Sequence, residues 1–167
     1  MTRPADPNRM PARERGFSLP ELLAVIALMA LMILFGGPAM ADGFRSYKVR
    51  SAADILQTDV RALRYAAVAS RTTMTMSLNN QSHATAPNQY SFTNSKGQAI
   101  TRPIEHGVNL ETTSAASITF GITGSTGVTS TQTLVVSMPI NATRGDRYTI
   151  SVTPSGTVQT AYATYTP

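Results

Sequence analysis

The sequence predicts an α+β fold: a long N-terminal helix, transmembrane in its first half, packed on an antiparallel β-sheet or sandwich domain. Three observations predict it. From Leu22 to Ala41 twenty consecutive residues carry no ionisable group, about the length a helix needs to cross a bilayer core. From Val49 to Ala67 apolar residues recur every three or four positions, the period of a helix with one buried face. Beyond Arg71 the period becomes two: Met74, Met76 and Leu78 alternate with Thr75, Ser77 and Asn79, as in a half-buried strand.

These shifts divide the chain into four parts. Residues 1–16 are a leader rich in Pro and Arg, without hydrophobic periodicity. Residues 17–41 form the membrane half of the helix, in which Leu22 to Phe35 is continuously apolar. Gly36, Gly37 and Pro38 follow, where the helix is expected to loosen: proline removes a donor and glycine adds backbone freedom. Residues 42–71 are the amphipathic half, with Val49, Ala52, Ala53, Leu56, Val60, Leu63 and Ala67 on the buried side. Residues 72–167 form the β domain. Its further strands are expected at Gln89–Thr93, Ile118–Gly121, Thr133–Met138, Tyr148–Thr153 and Thr157–Tyr162. Tyr148, Ile150 and Val152 share one face, and Pro154-Ser155-Gly156 makes a tight turn. Fifteen of the twenty-two residues from 112 to 133 are Ser, Thr or Gly. They read as a flexible polar loop with short strands, ordered by Ile118, Phe120, Ile122 and Val128. No internal repeat is visible.

The net charge is +5 and the pI about 10.0, but the charge is unevenly placed. Residues 1–16 contribute +2, residues 42–71 +3 and residues 72–167 only +1, with Glu21 opposing them. Basic residues beside a membrane segment serve topology or lipid headgroups. A nucleic-acid footprint would cluster on the folded domain, so charge argues against such a partner. There is no cysteine, which excludes disulfides and thiolate metal sites.

Two readings of the N-terminus compete. One is a secretory signal peptide: an Arg-containing start, an apolar run from Leu22 to Phe35 and the small-residue site Ala39-Met40-Ala41 before Asp42. The product would be a secreted β protein released after Ala41. That reading leaves Glu21 unexplained, because a carboxylate at the edge of an apolar span is costly unless paired.

The second reading is a resemblance. The stretch RGFSLPELLAVIALMALM, from Arg15, resembles the type III signal of type IV pilins and type II secretion pseudopilins. The resemblance implies cleavage between Gly16 and Phe17 by a membrane prepilin peptidase, which also N-methylates Phe17. It puts Glu21 at the fifth mature position, where the family keeps a glutamate, and Pro38 where many members place a helix-loosening proline. Pro20 departs from the commoner aliphatic residue, but falls in the first turn, where proline is tolerated. Glu21 is then the assembly residue: in the filament it pairs with the free amine of a neighbouring subunit. The implied partners are other pilins or pseudopilins, the peptidase and inner-membrane lipid. The implied location is the bacterial inner membrane, single-pass, with the N-terminus cytoplasmic and the β domain periplasmic. Charge bias does not set this topology, since Arg45, Lys48 and Arg50 answer Arg3, Arg9, Arg13 and Arg15 across the span.

Two further stretches, ITFGITGSTG from Ile118 and DRYTISVTPSGTVQTA from Asp146, resemble the H-type pseudopilin and FimT-like minor pilin group. Some FimT-like members bind DNA through a Gly-Arg-x-Arg segment in the last strand. Here that place reads Gly156-Thr157-Val158-Gln159, without either arginine, and only Arg144 and Arg147 remain as weak DNA contacts. A DNA receptor for transformation is thus the alternative to a rare structural subunit of a secretion pseudopilus or pilus, and the missing arginines weigh toward secretion.

Nothing in the residues points to catalysis, a metal or a cofactor. His83 and His106 are the only histidines and sit in loop-like stretches. Gly121, Gly124 and Gly127 precede no helix that could present amides to a phosphate, so they read as turn glycines. Met74 and Met76 read as core.

Overall fold

The computed structural model describes residues 17–79, 88–94, 96–105, 107–111 and 113–167. Helix α1 spans Leu19–Ser70 and is followed, among the described residues, by eight strands. These are β1 Met74–Asn79, β2 Gln89–Thr93, β3 Ala99–Pro103, β4 Asn109–Leu110, β5 Ser117–Phe120, β6 Gln132–Pro139, β7 Gly145–Val152 and β8 Val158–Tyr165. The chain divides into two units, one ending at Ala39 and one from Met40 to Pro167.

In the second unit the strands form two antiparallel four-stranded sheets, in the orders β3-β2-β1-β5 and β4-β6-β7-β8. The predicted α1 face is the buried one: Val49, Ala53, Leu56, Val60 and Ala67 are fully buried and Leu63 nearly so. It packs into one core with Met76 and Leu78 of β1, Ile118 and Phe120 of β5, Leu134 and Val136 of β6, and Ile150 and Val152 of β7. Burial of this apolar surface is the main stabilising term.

The end of α1 is set by local geometry. Thr72 N–H donates to Ala67 O at 3.2 Å and Arg71 N–H to Val68 O at 3.3 Å. This is the paired closure of a Schellman cap, and it requires a left-handed residue at Arg71, whose φ is 51°.

Residues 109–111 and 113–116 stitch the sheets together. Glu111 and Ala115 N–H donate to Val135 and Thr133 carbonyls, while Ala116 O accepts from Leu78 N–H. Ser114 Oγ accepts from Val135 N–H at 2.9 Å.

The expected strands are present; β7 begins earlier than expected, at Gly145, and β8 runs on past Tyr162 to Tyr165. Two strands were not anticipated. In β3 every residue but Ile100 is exposed, so no alternation marks it, and β4 is only two residues long. The polar segment differs from the flexible loop expected of it. Thr126 is buried, its N–H donating to Pro154 O at 3.0 Å, and Gly124 O accepts from Arg64 Nε at 3.1 Å. Ile118 and Phe120 enter the core, but Ile122 and Val128 are exposed. The segment is ordered by these hydrogen bonds and not by the two outer apolar residues. Gly124 and Gly127 have positive φ, as turn glycines do.

Candidate functional site

The N-terminal unit is built to present apolar surface. Ser18 O accepts from Glu21 N–H at 3.0 Å and Leu22 N–H at 3.1 Å, opening α1. Pro20 lies in that first turn, where its missing N–H forfeits nothing. Glu21 is the acidic residue of the turn, favourably placed against the helix macrodipole. Every side chain from Phe17 to Phe35 is exposed, Phe17 at 77%. A helix apolar all round needs lipid or other helices around it, and this helix is long and apolar enough to cross a membrane. Glu21 has no ion-pair partner among the described residues. Gly36, Gly37 and Pro38 fall inside α1, and no atom stands within 4 Å of where a Cβ would sit at either glycine. Gly16 lies outside the described residues, as do His83 and His106.

A second surface escaped the sequence reading. From Met40 onward α1 carries Met40, Phe44, Tyr47, Ser51, Ile55, Thr58, Ala62 and Tyr65 at spacings of three and four. On a helix this series lies opposite the core series. Its large members are exposed, Phe44 at 65% and Tyr65 at 70%, and no charged residue interrupts it. The signal was present in the sequence as a second helical series, masked because Arg50, Asp54 and Arg61 flank it and make that side read as solvated.

Arg144 and Arg147 are both taken up by carboxylates. Arg144 Nη2 lies 2.9 Å from Asp146 Oδ1, and Arg147 Nε lies 2.9 Å from Glu111 Oε1, its guanidinium 5.0 Å from the Tyr165 ring centroid. Asp146 is almost wholly buried. Burial alone would push its pKa up, but hydrogen bonds from Ser46, Arg144 and Tyr162, with the Arg144 charge, hold it below the usual carboxylate range. The same corner ties the β6–β7 turn to α1. Arg45 donates to Ile140 O, and Asn141 Nδ2 donates to Asp42 Oδ2 at 3.0 Å.

Between α1 and β3 lies an open groove of about 470 Å³ lined by Tyr47, Arg50, Asp54, Ile55, Asp59 and Arg102 among others. Its charges are paired: Arg102 with Asp59 at 3.2 Å and Arg50 with Asp54 at 3.9 Å. Tyr90 also donates to Asp59 at 2.6 Å. Its burial, and then the neighbouring carboxylate, push its hydroxyl pKa well up. These groups hold β2 and β3 to the helix. Among the described residues no group of three or more His, Asp or Glu is placed to hold a metal ion.

Residues 11–36 match the family profile of the prokaryotic N-terminal methylation motif. Two solved structures are similar to the chain, both of the type IV minor pilin FimU of Pseudomonas aeruginosa strain PAO1 in different crystal forms. One is 17% identical, covers 67% of this chain and 91% of that one, and has a TM-score of 0.46. The other is 15% identical, covers 70% and 90%, and has a TM-score of 0.49. No curated protein matches the chain significantly.

Proposed function

We propose that this chain, type IV pilin-like by its N-terminal methylation motif, is a minor pilin or pseudopilin: a structural, non-catalytic subunit of a type II secretion pseudopilus or a type IV pilus. The observation that carries this reading is the motif at 11–36, whose helical stretch from Leu19 to Phe35 is exposed on all sides with Glu21 at its head. Prepilin peptidase would cut between Gly16 and Phe17 and methylate the new amine of Phe17. Residues 17–41 then anchor the subunit in the inner membrane with the β domain on the periplasmic side.

Glu21 explains why assembly has a register. A carboxylate within the hydrocarbon costs about 2.5–3.5 kcal/mol at mid-span and less near the interface. A neighbouring subunit's N-terminal amine, brought alongside, removes that cost by pairing. The uncharged outer series from Met40 to Tyr65 is a separate exposed surface of the second unit, and suits contact with other subunits' helices. The weakly charged β domain supports a rare subunit near the filament tip.

The mature N-terminus tests this reading. Mass spectrometry of the chain isolated from membranes should find N-methylated Phe17. A chain beginning at Asp42 would overturn it and make this a released β protein.

A further inference from the structure

Among the described residues the two sheets have four edge strands, and three are blunted in the ways proteins use to prevent edge pairing. Strand β3 carries Arg102 and Pro103, and β4 has two residues. Strand β5 has four residues, and its first carbonyl, Ser117 O, accepts from Gln132 Nε2 at 3.3 Å. Strand β8 is different. It has eight residues, VQTAYATY, without a charge or a proline, and every residue from Gln159 to Thr164 is exposed.

The hydrogen-bond alternation shows which groups of β8 are open. Thr153 N–H donates to Thr157 O at 3.0 Å at the base of the hairpin. Bonded and non-bonded pairs alternate in an antiparallel ladder, so the bonded pairs are Ser151–Gln159, Thr149–Ala161, Arg147–Ala163 and Gly145–Tyr165. Val158, Thr160, Tyr162 and Thr164 therefore turn their N–H and C=O away from β7. The donation of Arg61 Nη2 to Val158 O at 3.3 Å fits that direction. Among the described residues no group bonds the outward backbone of Thr160, Tyr162 or Thr164.

The edge runs into a recess of about 160 Å³ lined by Arg61, Arg64, Tyr65, Thr157 and Val158. Neither arginine has an acidic partner among the described residues. Self-pairing of two β8 edges about a two-fold axis would bring this basic end beside the Arg144–Asp146 and Arg147–Glu111 pairs of the other copy, whose carboxylates are already engaged, and would leave Arg61 and Arg64 without an acidic partner. An acidic group at the end of a different strand would instead complete the recess.

We propose that the β8 edge is a docking site for an extended segment of a partner polypeptide, which adds a strand along Thr160, Tyr162 and Thr164 and places an acidic residue against Arg61 and Arg64. Main-chain bonds would supply affinity and the arginine recess the register.

The test uses the full chain in detergent micelles. The probe is a blocked, fluorescent peptide of alternating threonine and valine that ends in aspartate, read by anisotropy. Binding should be saturable. It should weaken about tenfold or more when alternate peptide amides along one edge are N-methylated, and be unchanged when the other edge is methylated. Thr160→Pro should abolish it without unfolding, because the lost N–H points away from the ladder. Thr164→Lys should do the same as an edge charge, and Arg61→Ala or a terminal lysine on the peptide should weaken it severalfold. Unchanged binding to both edge variants, or no binding to the parent chain, would overturn the proposal. So would a disulfide between Thr160→Cys of one copy and Thr164→Cys of another, which would show the edge filled by a second copy.

Discussion

Asp146 and Tyr162 meet diagonally across the β7–β8 pair, with the tyrosine hydroxyl 3.1 Å from Asp146 Oδ1. The carboxylate also holds Arg144 and, through Ser46, helix α1. One buried charge thus joins β7, β8, the β6–β7 turn and the helix. Because these partners favour the ionised form, the folded pKa of Asp146 lies below its unfolded value. The stabilisation is therefore fully present above the unfolded value of about 3.9 and is lost as pH falls through the folded one. Asp146→Asn should cost about 1–3 kcal/mol near neutral pH and flatten the acid limb of a stability–pH profile measured by denaturant titration. An unchanged acid limb would show that other carboxylates dominate it.

Glu21→Ala should leave insertion and processing intact while entry into filaments falls on the order of tenfold or more, the scale expected for losing one intramembrane pairing. Glu21→Asp should be milder, since the charge survives on a shorter stem. Co-purification with partner subunits after shearing measures this, and normal recovery of Glu21→Ala would reduce the carboxylate to a topological marker.

Two backbone positions predict opposite effects. Arg71 sits at φ 51° in the α1 cap, so Arg71→Gly should raise stability by about 0.5–1 kcal/mol. Gly156 has φ +81°, and an added Cβ would stand 1.9 Å from Gly124 O. Gly156→Ala should lower stability by about 2 kcal/mol or more. Thermal melts of the two variants read both signs.

Phe44→Asp and Tyr65→Asp change exposed residues outside the core, so the melting transition should move by no more than about 0.5 kcal/mol in stability. Their co-assembly with other subunits should nonetheless fall. Equal recovery with partners would remove the outer series from the assembly surface.

DNA binding should be weak. A gel shift at about 0.15 M salt, where exposed charges are already screened, should show little retention, because Arg144 and Arg147 are engaged with Asp146 and Glu111. Salt-sensitive binding abolished by Arg144→Ala together with Arg147→Ala would restore the DNA-receptor alternative.

By itself the sequence determined the elements whose periodicity is produced by one buried face. The Val49–Ala67 series, the alternation of Met74, Met76 and Leu78, and the Ile150–Val152 face were legible because each buries alternate or every third-to-fourth residue. The N-terminal signal was legible because Gly16, Phe17, Glu21 and the apolar run lie together in the chain. Tertiary structure alone decided what depends on residues far apart. Strand β3 is an exposed edge with no periodic trace, and it exists because β2 offers it a partner. The polar segment around Gly124 and Thr126 is held by Arg64 and Pro154, contacts that no local composition reveals. Arg144 and Arg147 appear as spare cations in the sequence but are neutralised by Asp146 and Glu111, the latter reached only through sheet pairing. The open edge of β8 likewise follows from strand order, since which strand lies outermost is settled by long-range pairing and not by any residue within it.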